Sequence, residues 1–594
     1  MAKEVKVSAK TIKEIIPKDK ILAYSLENAL SHDGKAQSGS VLPKLFQEGL
    51  KKEQIKEVMK DINEIIQKVN SMKKEEQEKE YKKFENLTIK HEHKEREGLP
   101  ELPNAVEGKV VLRHAPFPSG PLHLGNAIPI IINDEYMKKY KGKAFLIIDD
   151  TIGSEEKQIM PEAYQLIPED LKMLGVKYDG DPIYRSDRLN IYYKYAEMLI
   201  TKSKAYVCFC NVERLRENRA QGKECECRRK DYETNLKDWK WMFGNDAKGG
   251  SATLRIKTDM KYPDPAFRDR VIFRISDREH PRIKGLKVWP MLEFSAAIDD
   301  HLLEITHVIR GNQLRIESEM EKYIWDILQW KHPELLYTPL VTIEGMKLSK
   351  SKSQEEVNKG VYTGWDDPRT WSVRSLIKRG IQQEAIRKFI SKFGMSDKEN
   401  MDVPIDLLYN ENMKLIEPTA NRYFFISQPV KIKIGKAKKM VAQLPLHPDK
   451  PELGNREIKT GTSFFIEQND FNKIEEGKIY RLMHLFNFTK KKDKLIFHST
   501  EQKGENIAGV MHWLPALKSL PKVKILMVDG NYTEGVAEKE VKKIKKDSII
   551  QFERFAFCKL IETLRNQKVS GAPKTSKFSS ESKKGTMEFW WTHT

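Results

Sequence analysis

KVVLRHAPF (Lys109–Phe117) runs into Pro116-Phe117-Pro118-Ser119-Gly120-Pro121-Leu122-His123-Leu124-Gly125-Asn126, and AFLIIDD (Ala144–Asp150) follows after a helical stretch from about Asn126 to Lys141. The first run is rich in β-branched and apolar residues, and the last is an apolar strand ending in carboxylates. Strand, turn, helix, strand is a βαβ unit, whose functional groups collect where the strands end. Within the turn, Pro116, Pro118 and Gly120 set a tight bend, and Gly125 lets a nucleotide approach the backbone at a helix N-terminus. Asn126 follows at the same edge. His123 offers a donor to a phosphate whose negative charge grows during attack. Alone, the string is also compatible with an ordinary turn into a helix.

A second string far downstream, Glu344-Gly345-Met346-Lys347-Leu348-Ser349-Lys350-Ser351-Lys352, complements it. Lys347 and Lys350, divided by Ser349 in a loop, can clamp a triphosphate as mobile point charges. Alone it reads equally as a basic surface loop. Together the two strings form a split ATP signature.

The chain has 594 residues, too many for one core. Hydrophobic residues make up 39% and charged residues 32%, which suits a folded globular protein. An apolar run of about 18 residues is absent, so no membrane span is expected. The first residues lack a secretory h-region, which points to the cytoplasm. A net charge of +19 attracts polyanions through phosphate contacts, or reflects a coat of solvated lysine.

Texture divides the chain into a helical extension (1–104), a first half of an α/β core (105–180), an insertion (181–285), a second half of the core with the lysine loop (286–353), a helical connector (354–415) and a strand-rich remainder (416–594). The charged run KKEEQEKEYKKFENLTIKHEHKERE (73–97) reads as a solvated helix or tether. Regular short strands after residue 416 imply β-barrels. The terminal EFWWTHT reads as a closing strand.

Four of the five cysteines form two CxC pairs, Cys208 with Cys210 and Cys225 with Cys227. Four thiolates on two turns can close a tetrahedral zinc site, with no open position for catalysis; reduced, unliganded cysteines are the alternative. Beside them, Arg228-Arg229-Lys230 reads as a phosphate contact or a solvated turn. Cys558 lies in an apolar strand and reads as core.

The two ATP strings resemble the HIGH and KMSKS motifs of class I aminoacyl-tRNA synthetases. The resemblance extends through PEAYQLIPEDLKMLGVKYDG, SDRLNIYYKYAEMLI, KAYVC, ATLRIKTDM, AAIDDH, THVIRG, GWDDPR, IEPTANRYFF, LPLHPDKPE and FERFAF to the archaeal glutamyl-tRNA synthetase family. ENALSHDGKA extends it into the N-terminal helices, so it covers nearly the whole chain.

That resemblance implies a multidomain α/β plus all-β protein: a Rossmann-type class I catalytic core, an N-terminal helical extension and two C-terminal anticodon-binding β-barrels. It implies ATP-dependent attachment of glutamate to tRNA-Glu through a glutamyl-adenylate, with Mg2+ on the phosphates. His123, Lys347 and Lys350 would stabilise the pentavalent phosphate. Asp149 would meet the substrate ammonium. Arg113 and Arg310 would face its carboxylates, or form structural salt bridges instead. The insertion would face the tRNA acceptor end, pinned by structural zinc. A monomer is expected, with contacts to other synthetases or translation factors through the N-terminal helices.

Several positions depart from the family pattern. Asn126 replaces the second histidine of HIGH, Phe117 a small polar residue, and Ile147 an arginine. Leu292 and Glu293 replace an aromatic and an amide, and Gln313 and Leu314 replace an acid and a histidine. These changes are expected to cluster around the amino-acid pocket. They leave open a related ligase with altered specificity, such as glutamine, or a non-catalytic tRNA-binding paralogue.

Overall fold

The computed structural model describes residues 17–31, 34–47, 50, 54–84, 87–88, 99–154, 158–343, 350–395, 400–501, 506–563 and 586–594. It divides into two compact units, residues 1–96 and 97–594.

In the first unit, helices span Lys18–Ser31, Ser38–Gln47, Ile55–Asn70 and Lys74–Phe84. Val58 and Ile62 recur at helical spacing and bury against Ile21, Tyr24 and Leu45. Residues 85–86 and 89–97 of the charged run lie outside the described residues, and its start, Lys74–Phe84, is the fourth helix. Its buried Gln77 donates to Val69 O at 2.8 Å and Gly34 O at 2.9 Å, which ties a polar helix to its neighbours.

The second unit is built on parallel strands. Strands β1 (Val111–His114), β2 (Lys143–Ile148) and β3 (Ile183–Tyr184) pair in that order. An antiparallel sheet of β4 (Ala205–Cys208), β5 (Thr253–Ile256), β6 (Val271–Ile275) and β7 (Val288–Pro290) is then inserted. The parallel pattern resumes with β8 (His307–Gly311) and β9 (Glu334–Thr338). Thr306 N–H donates to Val111 O at 3.0 Å, and Val111 N–H to Thr306 Oγ1 at 2.9 Å, placing β8 beside β1. The chain therefore leaves β1 toward β2 on one side and β8 toward β9 on the other. That reversal opens a crevice at the C-terminal ends of β1 and β8. The helix Leu124–Lys139 crosses from β1 to β2, burying Ile128, Ile131 and Ile132.

Strand β10 (Leu340–Ile343) pairs in parallel with β11 (Asn400–Val403). The connector thus contains a strand where helix alone was expected. Pairing with β10 satisfies its backbone groups, and tertiary context overrides the local pattern. Helices Val373–Arg379, Gln383–Ser391 and Asp406–Ile416 complete it.

Two seven-stranded sheets follow. One takes Arg422–Tyr423 and Phe425–Ser427 together with five later strands from Lys522 onward, while the other is formed entirely between Pro429 and Pro515. The second sheet is thus an insertion within the first. The terminal strand Met587–His593 lies between Ala556–Thr563 and Lys522–Leu526, in the sheet's interior. Cys558 is buried there, as core. No described helix is long and apolar enough to cross a membrane.

Candidate active site

The crevice between β1 and β8 is a cleft of about 1200 Å³, lined by Arg113, Pro116, His123, Gly125, Asn126, Asp149 and Arg310, among others. The turn after β1 is held from several directions. Pro116 O accepts from Asp149 N–H at 3.1 Å, and Pro118 O from Met160 N–H at 2.9 Å. Leu122 N–H donates to the buried Asp170 Oδ2 at 2.7 Å. Gly120 has φ +134°, a backbone conformation that side chains rarely adopt, so glycine suits the turn. Pro118 and Gly120 shape the turn without lining the cleft.

His123 caps the helix Leu124–Lys139, its Nδ1 accepting from Asn126 N–H at 3.3 Å. That acceptance places the neutral ring's proton on Nε2. Gly125 and Asn126, in the helix's first turn, line the cleft, so its N-terminal end faces the space where an anion gains from the helix dipole.

Charged side chains beneath the cleft are interlocked. Arg113 is bidentate on Asp300, with Nη2 to Oδ2 at 2.9 Å. Arg310 Nη1 donates to Glu321 Oε1 at 2.8 Å. Arg185 Nη1 donates to Asp149 Oδ1 at 2.8 Å, and Arg188 Nε to Asp299 Oδ1 at 2.7 Å. Four arginines thus face four carboxylates, which is how so much charge can be buried. Capacity for a ligand remains. Among the described residues, both side-chain hydrogen bonds to Asp149, from Arg185 Nη1 and from Thr151 Oγ1 at 3.4 Å, fall on Oδ1, and Arg310 Nε has no hydrogen-bond partner. Burial pushes the Glu321 carboxyl up to about 7, against the pull of Arg310. Asp300, Glu321, Arg185 and Asp299 were not singled out in the sequence. AAIDDH carried Asp299 and Asp300, but Arg185 and Glu321 lie outside the stretches quoted above, and only the fold brings these groups together.

His114 was also missed. It lines the cleft, is buried, and neither ring nitrogen has a hydrogen-bond partner among the described residues. Burial holds its pKa down at about 4, so the ring is neutral at physiological pH.

The departures separate into two groups. Phe117, Asn126, Leu292, Gln313 and Leu314 line the cleft. Ile147 is buried within β2 and Glu293 is buried in an ion pair with Arg270, whose Nη2 also reaches Glu317 at 2.6 Å. The expected clustering at the pocket therefore holds for five positions and not for Ile147 and Glu293. Ile147 serves the core, and Glu293 has its own local counter-charge.

Residues 344–349, with Lys347 and Ser349, and the Lys350 side chain lie outside the described residues. The flanks of that loop both line the cleft: Leu340–Ile343 before it, and Gln354 and Asn358 of the helix Lys350–Asn358 after it.

In the insertion, the sulfurs of Cys208, Cys210, Cys225 and Cys227 lie within 4.8 Å of one another, Cys208 and Cys225 at 3.8 Å. Zn–S bonds of about 2.3 Å at tetrahedral angles separate sulfurs by about 3.8 Å, so the cluster fits such an ion.

The profile of "tRNA synthetases class I (E and Q), catalytic domain" matches residues 109–418, and that of the corresponding "anti-codon binding domain" matches 420–502. The chain is 40% identical over 553 residues to the "Glutamate--tRNA ligase" of Methanocaldococcus jannaschii, covering 91% of this chain and 97% of that one. It is 39% identical over 568 residues to that of Pyrococcus furiosus, covering 92% and 98%. The "Glutamate--tRNA ligase" of Thermococcus onnurineus is 40% identical over 560 residues, covering 91% and 96%. Matching across both the core that carries the cleft and the strand-rich region beyond it, the chain belongs to the class I tRNA synthetases of the glutamate and glutamine (E and Q) family.

Proposed function

We infer that this chain attaches glutamate to tRNA-Glu, using ATP, through a glutamyl-adenylate. Near-full-length identity to glutamate–tRNA ligases carries this reading and favours it over a ligase of altered choice or a non-catalytic paralogue. The cleft's chemistry supports it.

In the first step, the α-carboxylate oxygen of glutamate attacks the α-phosphorus of ATP, and the bond to the β-phosphate oxygen breaks, releasing pyrophosphate. His123, donating through Nε2, and the first turn at Gly125 and Asn126 would stabilise the charge gathering on the α-phosphate, joined by Lys347, Ser349 and Lys350 from the flanked loop. Mg2+ held on the phosphate chain would add further neutralisation. Arg113 and Arg310 would meet carboxylates through donors not used on Asp300 and Glu321. Asp149 Oδ2 would accept the ammonium. In the second step, a hydroxyl of the terminal ribose attacks the glutamyl carbonyl. AMP leaves, and the hydroxyl proton passes to solvent or to the phosphate. The groups mainly position reactants and spread charge.

Zinc bound by Cys208, Cys210, Cys225 and Cys227 would pin the insertion, leaving no open position for substrate.

ATP–pyrophosphate exchange with each amino acid, with and without tRNA, tests the assignment. Exchange with glutamate in the presence of tRNA-Glu is expected. Exchange with glutamine instead, or with no amino acid at all, overturns it.

A further inference from the structure

Beside the cysteine cluster sits a buried cation that makes no carboxylate ion pair among the described residues. Arg255, in β5, is 1% exposed. Its Nε donates to Asp269 O at 2.7 Å, a backbone carbonyl. Its Nη1 stands 3.7 Å from both Cys208 Sγ and Cys225 Sγ, and Nη2 has no hydrogen-bond partner among the described residues. The nearby Asp269 carboxylate is occupied elsewhere. Its Oδ2 accepts from Tyr206 OH at 2.8 Å and Arg228 Nε at 2.9 Å, and its Oδ1 from Thr258 N–H at 2.8 Å. Tyr206 OH in turn lies 3.7 Å from Cys225 Sγ.

A guanidinium stays protonated in a protein, and a buried cation without counter-charge is costly. Four neutral thiols would offer it only weak dipoles. Four thiolates around a dication carry a net charge of about −2, spread over the sulfurs. Arg255 points one nitrogen between two of those sulfurs, each from a different CxC pair. We propose that Arg255 is the counter-charge of a four-thiolate divalent metal centre, set between Cys208 and Cys225, one sulfur from each CxC pair. Arg255 has no lone pair for a metal and is a positioning residue. The proposal rests on the zinc reading above and goes beyond it, because the four-cysteine pattern is silent about charge balance. Loss of Arg255 leaves a doubly negative centre in an apolar setting. The metal-bound form is then the costlier one to bury, and the metal is held more weakly.

The test uses the full chain as wild type, Arg255→Met, which approximates the shape without the charge, and Arg255→Lys, which keeps the charge. Each is stripped of metal and titrated with Zn2+ against a chromophoric chelator at neutral pH. Co2+ loading then reads thiolate-to-metal charge-transfer absorption, which scales with the number of bound thiolates. Wild type is expected to bind one Zn2+. Arg255→Met is expected to bind it about 10–100-fold more weakly while keeping the four-thiolate Co2+ band. Arg255→Lys is expected to remain within about threefold of wild type, because the charge persists. Equal affinity of Arg255→Met and wild type overturns the proposal. So does an Arg255→Lys protein as weak as Arg255→Met, since shape rather than charge would then matter. If Arg255→Met does not fold, Arg255→Gln replaces it as the uncharged variant, and an affinity equal to wild type refutes the charge argument. A wild type that takes up no metal refutes the zinc reading itself, an outcome distinct from a change confined to the variants.

Discussion

Arg379 and Thr592 exchange hydrogen bonds across the join between connector and C-terminal sheet. Arg379 Nη2 donates to Thr592 O at 3.0 Å, and Thr592 Oγ1 donates to Arg379 O at 2.5 Å. Arg379 Nε also reaches Trp591 O at 3.3 Å, and Nη2 reaches Tyr409 OH at 3.2 Å. The helix Val373–Arg379 begins against the turn after β1, where Val373 N–H donates to Leu122 O at 2.9 Å and Ser372 bridges His123. One short helix therefore runs from that turn to the last described strand.

Arg379→Met should destabilise the protein by about 2–4 kcal/mol, since several buried carbonyls lose a charged donor, and Thr592→Val by about 1 kcal/mol. Thermal unfolding followed by circular dichroism reads both. A midpoint for Arg379→Met within about 1 °C of the parent would show that the join contributes nothing.

Asp149→Asn should raise the KM for glutamate at least about tenfold, the equivalent of one lost interaction of about 1.4 kcal/mol, with the KM for ATP nearly constant. Aminoacylation kinetics with each substrate varied in turn separate the two constants. An equal rise in both would mean that Asp149 serves Arg185 and the turn rather than the substrate.

Lys350→Ala should lower kcat for pyrophosphate exchange by about 10²–10³-fold, as expected when a group aimed at developing charge is removed. Filter binding of tRNA should be unaltered. Turnover equal to the parent's would remove Lys350 from the chemistry.

His114 makes stability depend on pH. Its folded pKa, about 4, lies below the ordinary 6.5, because burial opposes the charged ring. Its contribution is therefore whole above about pH 6.5 and is lost as pH falls toward 4, up to about 3 kcal/mol. Glu321 and Glu538, whose carboxyls burial pushes up to about 7, act with opposite sign: their contribution falls as pH rises from 4.5 toward 7. The test is therefore the difference between parent and His114→Phe in urea midpoint from pH 7 to 4.5. The parent should lose relative stability in acid, and parallel curves would refute the assignment.

The part of the cleft built by the turn after β1 was legible in residues 109–151. A tight Pro/Gly turn between an apolar strand and a helix is local information, and His123, Gly125 and Asn126 follow from it. The part built on charged pairs was less so. Arg113, Asp149 and Arg310 were identified by resemblance, but Asp300, Glu321 and Arg185 could not be matched to them, because each pairing spans from eleven to nearly two hundred residues. Leu292, Gln313 and Leu314 do face the cleft, whereas Glu293, beside Leu292 in sequence, is turned to Arg270 by the helix it starts. Strand β11 was hidden inside a helical pattern because its partner, β10, lies far from it in sequence.

By itself the sequence determined the βαβ unit, the two motif strings and the four-cysteine set through local spacing, and the class of fold and the family through a resemblance that runs along nearly the whole chain. Only the tertiary structure decided which charges neutralise one another, which departures touch the cleft, and how the two C-terminal sheets nest. Those outcomes depend on burial. A charge hidden from water must find its partner in space, wherever that partner lies along the chain.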